Sequence, residues 1–387
     1  MFSKKIDYPI GLDISDLSLK FVQLQKRGRA LFFQAFGKVS LENGWIKNGS
    51  IEKKEKVQKA IKELLAKPLF GKVSSNQIVT SLPEPRTFIK LIKINADPDN
   101  FKKNLLKELE KHMPFSIDEI YYDYEIVKST EEQDWVIFGA SPKSYVDQYL
   151  ELFQDSGFMI MGMEIESTAV ARSLLLEESP DYKTSPKKNY GVLDIGANRS
   201  SMFVYSKNTI LFNVSIPISG NNVSDKIAES LKLDKKQGEL AKIVCGLDDK
   251  KCSAVKDNLS QMIDLLIIEI KKVINFYNSH FSERGSLDKI ILSGGGANID
   301  GLTNLIKAKI GIDTEIGDVF TNISEPKNIS VNLGRPKDIF IKDFVEVYKY
   351  KAGEGTRTKK KTISIKQDSS ITYATAIGLA LRKIFVD

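Results

Sequence analysis

Apolar and polar positions alternate along residues 8–42 of this chain around one short turn, a period-2 pattern that predicts successive strands. The period then changes. Val57, Ala60, Ile61, Leu64 and Leu65 fall at helical spacing within 52–67, and Pro68 closes that predicted helix. Residues 78–82 have the composition of a buried strand and stop at Pro83 and Pro85. Alternation resumes over 86–94; 99–112 predicts a charged helix, and 121–127 and 135–140 predict two more strands. Strand, helix, strand, strand makes a compact α+β unit inserted within a first lobe. A helix over 144–156 capped by Gly157, a strand, and a helix over 166–177 follow. Residues 178–189 are polar, carry Pro180 and Pro186, and predict a surface link.

Beyond that link the opening pattern recurs. A hairpin begins at residue 192, with another strand over 209–218 and helices over 223–231 and about 235–243. The longest predicted helix spans 261–280, where Ile263, Leu266, Ile267, Ile270, Val273, Ile274 and Tyr277 form a broad apolar stripe that belongs in a core. A helix over 301–310 is capped by Gly311. Residues 318–370 are the least regular, and 351–361 read as a solvated hairpin tip, with contact to anionic lipid or an acidic partner as the alternative. The chain closes on a helix over 372–384 in which Ala374, Ala376, Gly378 and Ala380 suit close packing against another helix.

The two halves share more than periodicity. Residues 11–22 read GLDISDLSLKFV and residues 192–204 read VLDIGANRSSMFV, each an apolar strand ending in Asp-Ile, a small polar turn and a second strand. Asp13 and Asp194 thus start equivalent hairpins. A third turn, Ser293-Gly294-Gly295-Gly296-Ala297, follows a strand and precedes a helix. Such turns suit a nucleotide held between two similar lobes. Turn amides cradle phosphates, the carboxylates orient a hydrated Mg²⁺ that keeps most of its waters, and glycines let the backbone approach the nucleoside.

Composition narrows the chemistry. With 387 residues, 42% hydrophobic and 28% charged, the chain reads as an ordinary globular protein with two or more cores. No stretch approaches about 20 uninterrupted apolar residues, and residues 1–7 lack a signal-peptide apolar region, so a cytoplasmic protein is expected. Cys245 and Cys252 match no zinc spacing and read as ordinary thiols. His112 and His280 are the only histidines, which argues against His-ligated metals and Ser-His-Asp chemistry. The net charge of +7 permits an acidic partner, yet the lysines are dispersed and no helix carries a continuous basic face, so no nucleic acid is expected.

The order of these parts resembles the actin-like ATPase superfamily, and more closely the PilM family of type IV pilus assembly proteins, relatives of the cell-division protein FtsA. The carriers are Gly11-Leu12-Asp13-Ile14 with Lys20, Leu193-Asp194-Ile195-Gly196-Ala197, Leu292-Ser293-Gly294-Gly295-Gly296-Ala297 with Gly301-Leu302, His112-Met113-Pro114-Phe115, and the small-residue closing helix. Each motif is weak alone; five in order are specific. The resemblance runs from about residue 8 to the end, apart from 318–370.

That resemblance implies an α/β, two-lobed, ribonuclease H-like ATPase fold with the α+β unit inserted. It divides the chain into a first lobe (1–85, completed by 161–185 and 371–387), an inserted subdomain (86–160), a second lobe (190–222 and 286–370) and a further subdomain (223–285). It implies ATP or ADP with Mg²⁺, held through waters by Asp13 and Asp194. Ser15, Ser18 and Lys20 on one side and Gly196, Asn198, Arg199 and Ser200 on the other would wrap the phosphates, with Gly220 nearby. Gly294, Gly295, Gly296 and Ala297 would lie under the adenosine, and Glu239 and Lys242 near base and ribose. Glu166 would position water, although an acid at a helix N-terminus is also favoured by the macrodipole. Ser15 stands where the family has Gly, Asp16 adds negative charge beside the phosphates, and Asn198-Arg199 replaces Gly-Thr. Phosphoryl transfer depends on positioning water and stabilising charge, so hydrolysis is expected to be weak or absent.

The function implied is a cytoplasmic scaffold, peripheral at the inner face of the membrane, that binds the N-terminal tail of a PilN-like bitopic membrane protein and other pilus assembly proteins. Two alternatives stand. One is an FtsA-like filament, for which homo-oligomers are expected; only Phe385-Val386-Asp387 follow the closing helix, so an amphipathic anchor is not. The other is a superfamily kinase or ATPase, for which no substrate-directed carboxylate or separate substrate domain is evident.

Overall fold

Two antiparallel hairpins each seed a sheet in the computed structural model, which describes residues 8–27, 30–97, 99–176, 188–247, 253–323 and 367–382. The first begins with β1 (Ile10–Ile14), β2 (Ser18–Arg27) and β3 (Ala30–Ser40). A small hairpin, β4 (Ile46–Lys47) and β5 (Ser50–Ile51), leads into helix α1 (Lys54–Ala66), then β6 (Phe70–Gly71) and β7 (Gln77–Leu82). The inserted unit is β8 (Phe88–Asn95), α2 (Phe101–His112), β9 (Ile120–Ser129) and β10 (Gln133–Pro142). Helix α3 (Lys143–Gln154), strand β11 (Met159–Ile165) and helix α4 (Glu166–Leu174) return to the first sheet. Its order is β11-β7-β1-β2-β3-β6, with β7 and β11 parallel to β1.

Strand β1 is buried on both faces because helices cover both. Leu12, Leu19 and Phe21 pack with α1 and α3, where Ile61, Leu64 and Tyr149 are buried. The other face meets the closing helix described below, and Val170 of α4 joins that second core.

The second sheet is built from β12 (Asn189–Ile195), β13 (Ser200–Ser206) and β14 (Thr209–Ile216). Helices α5 (Gly220–Leu231), α6 (Lys235–Cys245) and α7 (Ser253–His280) follow, then β15 (Lys289–Ser293), α8 (Leu302–Ile310) and β16 (Asp313–Ile316). Helix α7 starts eight residues earlier than the apolar stripe predicted, because Leu259 and Val255 continue the stripe one and two turns back and both are buried. Cys245 is disulfide-bonded, which corrects the expectation of ordinary thiols; Cys252 lies outside the described residues, as does the hairpin tip expected over 351–361.

The eight-stranded order is β16-β15-β12-β13-β14-β8-β10-β9. The inserted unit therefore joins the second sheet, through the pairing of Phe212 in β14 with Lys90 in β8. Its α2 buries Leu105 and Leu109 against Ile92, Ile94, Val136 and Phe138, while Trp135 and Ile137 pack on the core of the second lobe.

Closing helix α9 (Ala374–Leu381) lies between the two sheets, with all eight of its residues buried. A Cβ on Gly378 would sit 1.8 Å from the Ala169 carbonyl oxygen of α4, and one on Gly11 would sit 2.3 Å from the Ala376 carbonyl oxygen. The small residues that the sequence placed here are what lets α9 touch α4 and β1 directly. No helix among the described residues is long and apolar enough to cross a membrane.

Candidate functional site

Strands β1, β7 and β11 run parallel and adjacent, so their C-terminal ends open on the same side of the sheet. A carboxylate stands at or just beyond each: Asp13 in β1, Glu84 after β7, and Glu166 at the start of α4. Ligands of open α/β sheets bind beyond such ends. The second sheet contributes Asp194 near the end of β12, parallel to Ser293 of β15. All four carboxylates line one cleft of about 320 Å³.

Lys20 sits directly across the hairpin from Asp13, and its Nζ donates to Asp13 Oδ2 at 2.8 Å. Burial works to lower the pKa of Lys20, but Asp13, Glu166 and Asp194 outweigh it and hold the ammonium above its ordinary value. Burial raises Glu166 well above the ordinary carboxylate range, and the charges of Asp13, Asp194 and Glu84 push the same way. Burial likewise raises Asp194. Glu84 is raised by burial even though it accepts the Ser167 backbone N–H at 3.0 Å and the Asn213 side-chain amide. The Thr375 hydroxyl donates to Glu166 Oε1 at 3.2 Å. Five carboxylates, these four and Asp16, line the cleft against Lys20, Lys38 and Arg199, which leaves it short of positive charge.

The first turn closes through Ser15, whose N–H and hydroxyl both donate to the Ser18 carbonyl, at 3.0 and 2.9 Å. The second closes through the Gly196 N–H to the Arg199 carbonyl at 2.8 Å. The third turn packs closely on β12. Gly294 has φ +76°, and a Cβ there would lie 2.6 Å from the Ile195 carbonyl oxygen and 2.9 Å from Asp194 Oδ1. A Cβ on Gly296 would lie 2.2 Å from Ile195 Cγ2, whereas one on Gly295 meets nothing within 4 Å. Gly294 and Gly296 therefore serve the packing of this turn on β12, and Gly295 alone faces open space in the cleft.

Of the residues predicted from sequence, Asp13, Ser15, Ser18, Lys20, Glu166, Asp194, Gly196, Asn198, Arg199, Ser200, Gly294 and Gly295 line the cleft. Gly220, Glu239, Lys242, Gly296 and Ala297 are not among its lining. The first three form a brace behind the second turn. Lys242 Nζ donates to the Gly220 carbonyl at 3.0 Å and to Glu239 Oε2 at 2.7 Å, and the single proton of the Ser224 hydroxyl is within reach of the same two acceptors. The Gly220 and Asn221 N–H groups, in turn, donate to the Gly196 and Ala197 carbonyls at 2.9 and 2.8 Å.

Sequence reading missed Glu84 and Asn213. Glu84 carried a usable signal, an acid just past a buried strand that lies parallel to β1. Asp16, whose charge the sequence placed beside the phosphates, lines the cleft, is buried and accepts four hydrogen bonds, from the backbone of Asn48 and Gly49 and the side chains of Asn198 and Arg199.

Among the described residues no three His, Cys, Asp or Glu side chains converge as direct metal ligands. Carboxylates that face one cleft without converging fit Mg²⁺ held through its own waters, since this ion dehydrates reluctantly. Asp13 and Asp194 would hold it there, and it would neutralise phosphate charge.

A family model for the type IV pilus assembly protein PilM matches residues 11–336. The fold is similar to that of a solved PilM-PilN type IV pilus biogenesis complex, with TM-score 0.74, 21% identity and coverage of 98% of this chain and 99% of that one. It is also similar to the ethanolamine utilization protein EutJ from Carboxydothermus hydrogenoformans, with TM-score 0.50, 15% identity and coverage of 80% and 85%. In sequence the chain is 22% identical over 265 residues to the cell division protein FtsA of Borreliella burgdorferi, a match spanning 61% of this chain and 59% of that relative's length.

Proposed function

The chain belongs to the PilM family of type IV pilus assembly proteins, and from that membership we propose that it is an ATP-binding scaffold of a pilus, competence or related secretion complex at the inner membrane. The observation that carries the nucleotide part is the pairing of two Asp-bearing hairpins across one cleft, with Gly295 facing open space beside them. ATP or ADP with Mg²⁺ would bind there and hold the lobes together. Glu166 would orient water, and a carboxylate with raised proton affinity suits that role near neutral pH. Turnover is nevertheless expected to be slow, because the loops depart from the family pattern at Ser15 and Asn198-Arg199.

The partner in this reading is the N-terminal cytoplasmic peptide of a PilN-like membrane protein, which would tether the scaffold to the membrane. A second cleft of about 290 Å³ supports such a role. Ile89, Val127 and Ile137 of the inserted unit line it together with Ala171, Arg172 and Leu175 on the α4 side. A groove of mixed apolar and polar lining suits a short amphipathic tail. Nucleotide state would alter partner affinity only to the extent that the peptide binds the two states differently.

The test is nucleotide release by heat and chromatography from the purified protein, followed by calorimetric titration of the emptied form with Mg²⁺-ATP and Mg²⁺-ADP. Labelled N-terminal peptides of PilN-like proteins are then titrated by fluorescence anisotropy. Saturable binding of nucleotide and peptide with little phosphate release supports the scaffold. Rapid turnover with a small-molecule acceptor would instead make the protein a kinase. The FtsA likeness supports a second reading, a filament, for which nucleotide-dependent sedimentation is the check.

A further inference from the structure

Asp16 holds together the two turns between which the proposed nucleotide would lie. It sits in the turn after β1, lines the cleft, and is only 5% exposed. Its Oδ1 accepts the Gly49 N–H at 3.0 Å and Arg199 Nη2 at 3.4 Å. Its Oδ2 accepts the Asn48 N–H at 3.1 Å and Asn198 Nδ2 at 3.2 Å. Two donors on each oxygen saturate the carboxylate.

The donors are of two origins. Asn48 and Gly49 form the tight turn between β4 and β5, with φ of +51° and +79°, and present two successive amides to one anion. Asn198 and Arg199 come from the facing turn of the second lobe. Asn198 is itself held by the Asn221 side chain, whose Nδ2 donates to its Oδ1 at 2.6 Å. Backbone amides, a carboxamide and a guanidinium make the donor set of a phosphate site. Here a side-chain carboxylate fills it. Arg199 also keeps Nη1 buried without a hydrogen-bond partner, so its fork has capacity for one more acceptor beside Asp16.

We propose that Asp16 stands in for a terminal phosphate, pairing the donors of the second turn itself, so that the cleft favours a nucleoside diphosphate over a triphosphate. This rests on the nucleotide reading above and deepens it. A diphosphate reaches the spare capacity of Arg199 and leaves the Asp16 bridge closed. A triphosphate brings further negative charge toward donors already engaged, and takes Asn198 and Arg199 only by displacing the carboxylate. The bridge then opens, and triphosphate binding is linked to loosening of the contact between the two turns. Two like charges a few ångströms apart near a surface repel by enough to shift affinity by about fivefold or more.

The experiment is titration of the nucleotide-free full chain with ADP and with a non-hydrolysable ATP analogue, both with Mg²⁺, for the wild type and Asp16→Asn. The wild type is expected to bind ADP about fivefold or more tightly than the analogue. Asp16→Asn keeps the shape and one of the two acceptor oxygens but removes the charge, so the ratio should fall toward one through tighter binding of the analogue. Asp16→Ser repeats the test should Asp16→Asn melt before the wild type in thermal unfolding. Arg199→Gln should weaken both nucleotides, since it removes a donor that either would use. An affinity ratio that is the same in wild type and Asp16 variants overturns the inference while leaving the nucleotide reading intact. Absence of binding of either nucleotide to any of these folded proteins overturns the reading, and the inference with it.

Discussion

Glu166 is where burial and neighbouring charge act together most strongly. Burial, Asp13, Asp194 and Glu84 all disfavour its ionised form, so its folded-state pKa lies well above the unfolded value of 4.5. An acid with a raised folded pKa binds its proton more tightly when folded. Its contribution to stability is therefore fully present at low pH and is lost as pH rises through the folded value. Glu166→Gln keeps an acceptor for Thr375 and removes this titration. Over about pH 5 to 9 the apo variant should lose less stability than the wild type, and its advantage should grow with pH to roughly 1–2 kcal/mol. Parallel denaturation curves at both ends of that range would mean the carboxylate is compensated in a way these contacts do not provide. Asp13 and Asp194 were legible in the sequence because their motif is local. Glu84 and the bonds of Asp16 were not, because each depends on residues more than thirty positions away. The glycine turn divides the same way: its presence was legible, but which of its glycines pack against β12 was not. Gly295→Ala should fold normally and weaken nucleotide binding severalfold, while Gly294→Ala should destabilise by about 1–3 kcal/mol through its positive φ and its contact with Ile195. Equal melting temperatures for the two variants would contradict that assignment.

Periodicity carried most of the elements, because helices α1 and α7 each bury one stripe and the first hairpin alternates. It undershot α7, where Val255 and Leu259 carry the stripe two turns further toward the N-terminus, and it overran α4, which stops at Leu174. The closing helix is the clearest case of composition predicting packing. A run of small apolar residues has no strong amphipathic signal, yet it fits only where backbones meet. Replacing Gly378 by Ala should gain about 1 kcal/mol of helix propensity. Against this, its new Cβ would stand 1.8 Å from the Ala169 carbonyl oxygen, so α9 or α4 must move. Overpacking typically costs 1–3 kcal/mol, and here it involves rigid backbone, so the steric term should win. Gly11→Ala should act on the opposite side of the same helix, through Ala376. Because both variants displace α9, their effects on urea unfolding should depart from additivity. A Gly378→Ala protein as stable as the wild type would show that the helix has room the structure does not give it.

The largest feature the sequence did not reveal is how the inserted unit is attached. Its strands and helix were legible, and local order suggested a module carried by the first lobe. The structure instead continues the second sheet into it, through Phe212 and Lys90, and packs Trp135 and Ile137 on the second core. Strand pairing between segments over a hundred residues apart leaves no periodic trace, so only the three-dimensional fold exposes it. Asn213 secures this junction. Its side chain donates to Glu84 beside the cleft and accepts the Ile89 N–H at 3.4 Å, linking the first lobe, the inserted unit and β14 through one residue. The Glu84 carboxylate is half-buried, so loss of that donor leaves it under-satisfied, which costs about 1–3 kcal/mol at most. Asn213→Ala should therefore lower stability by that amount, and amide exchange should accelerate at Ile89 and its neighbours in β8 more than in β1 or β12. Adding Glu84→Gln should recover part of the loss, since a neutral amide is less costly to bury than an unpaired carboxylate. Uniform acceleration across both sheets would instead mean that Asn213 supports global stability without securing the junction, and that the inserted unit is held by its apolar contacts alone.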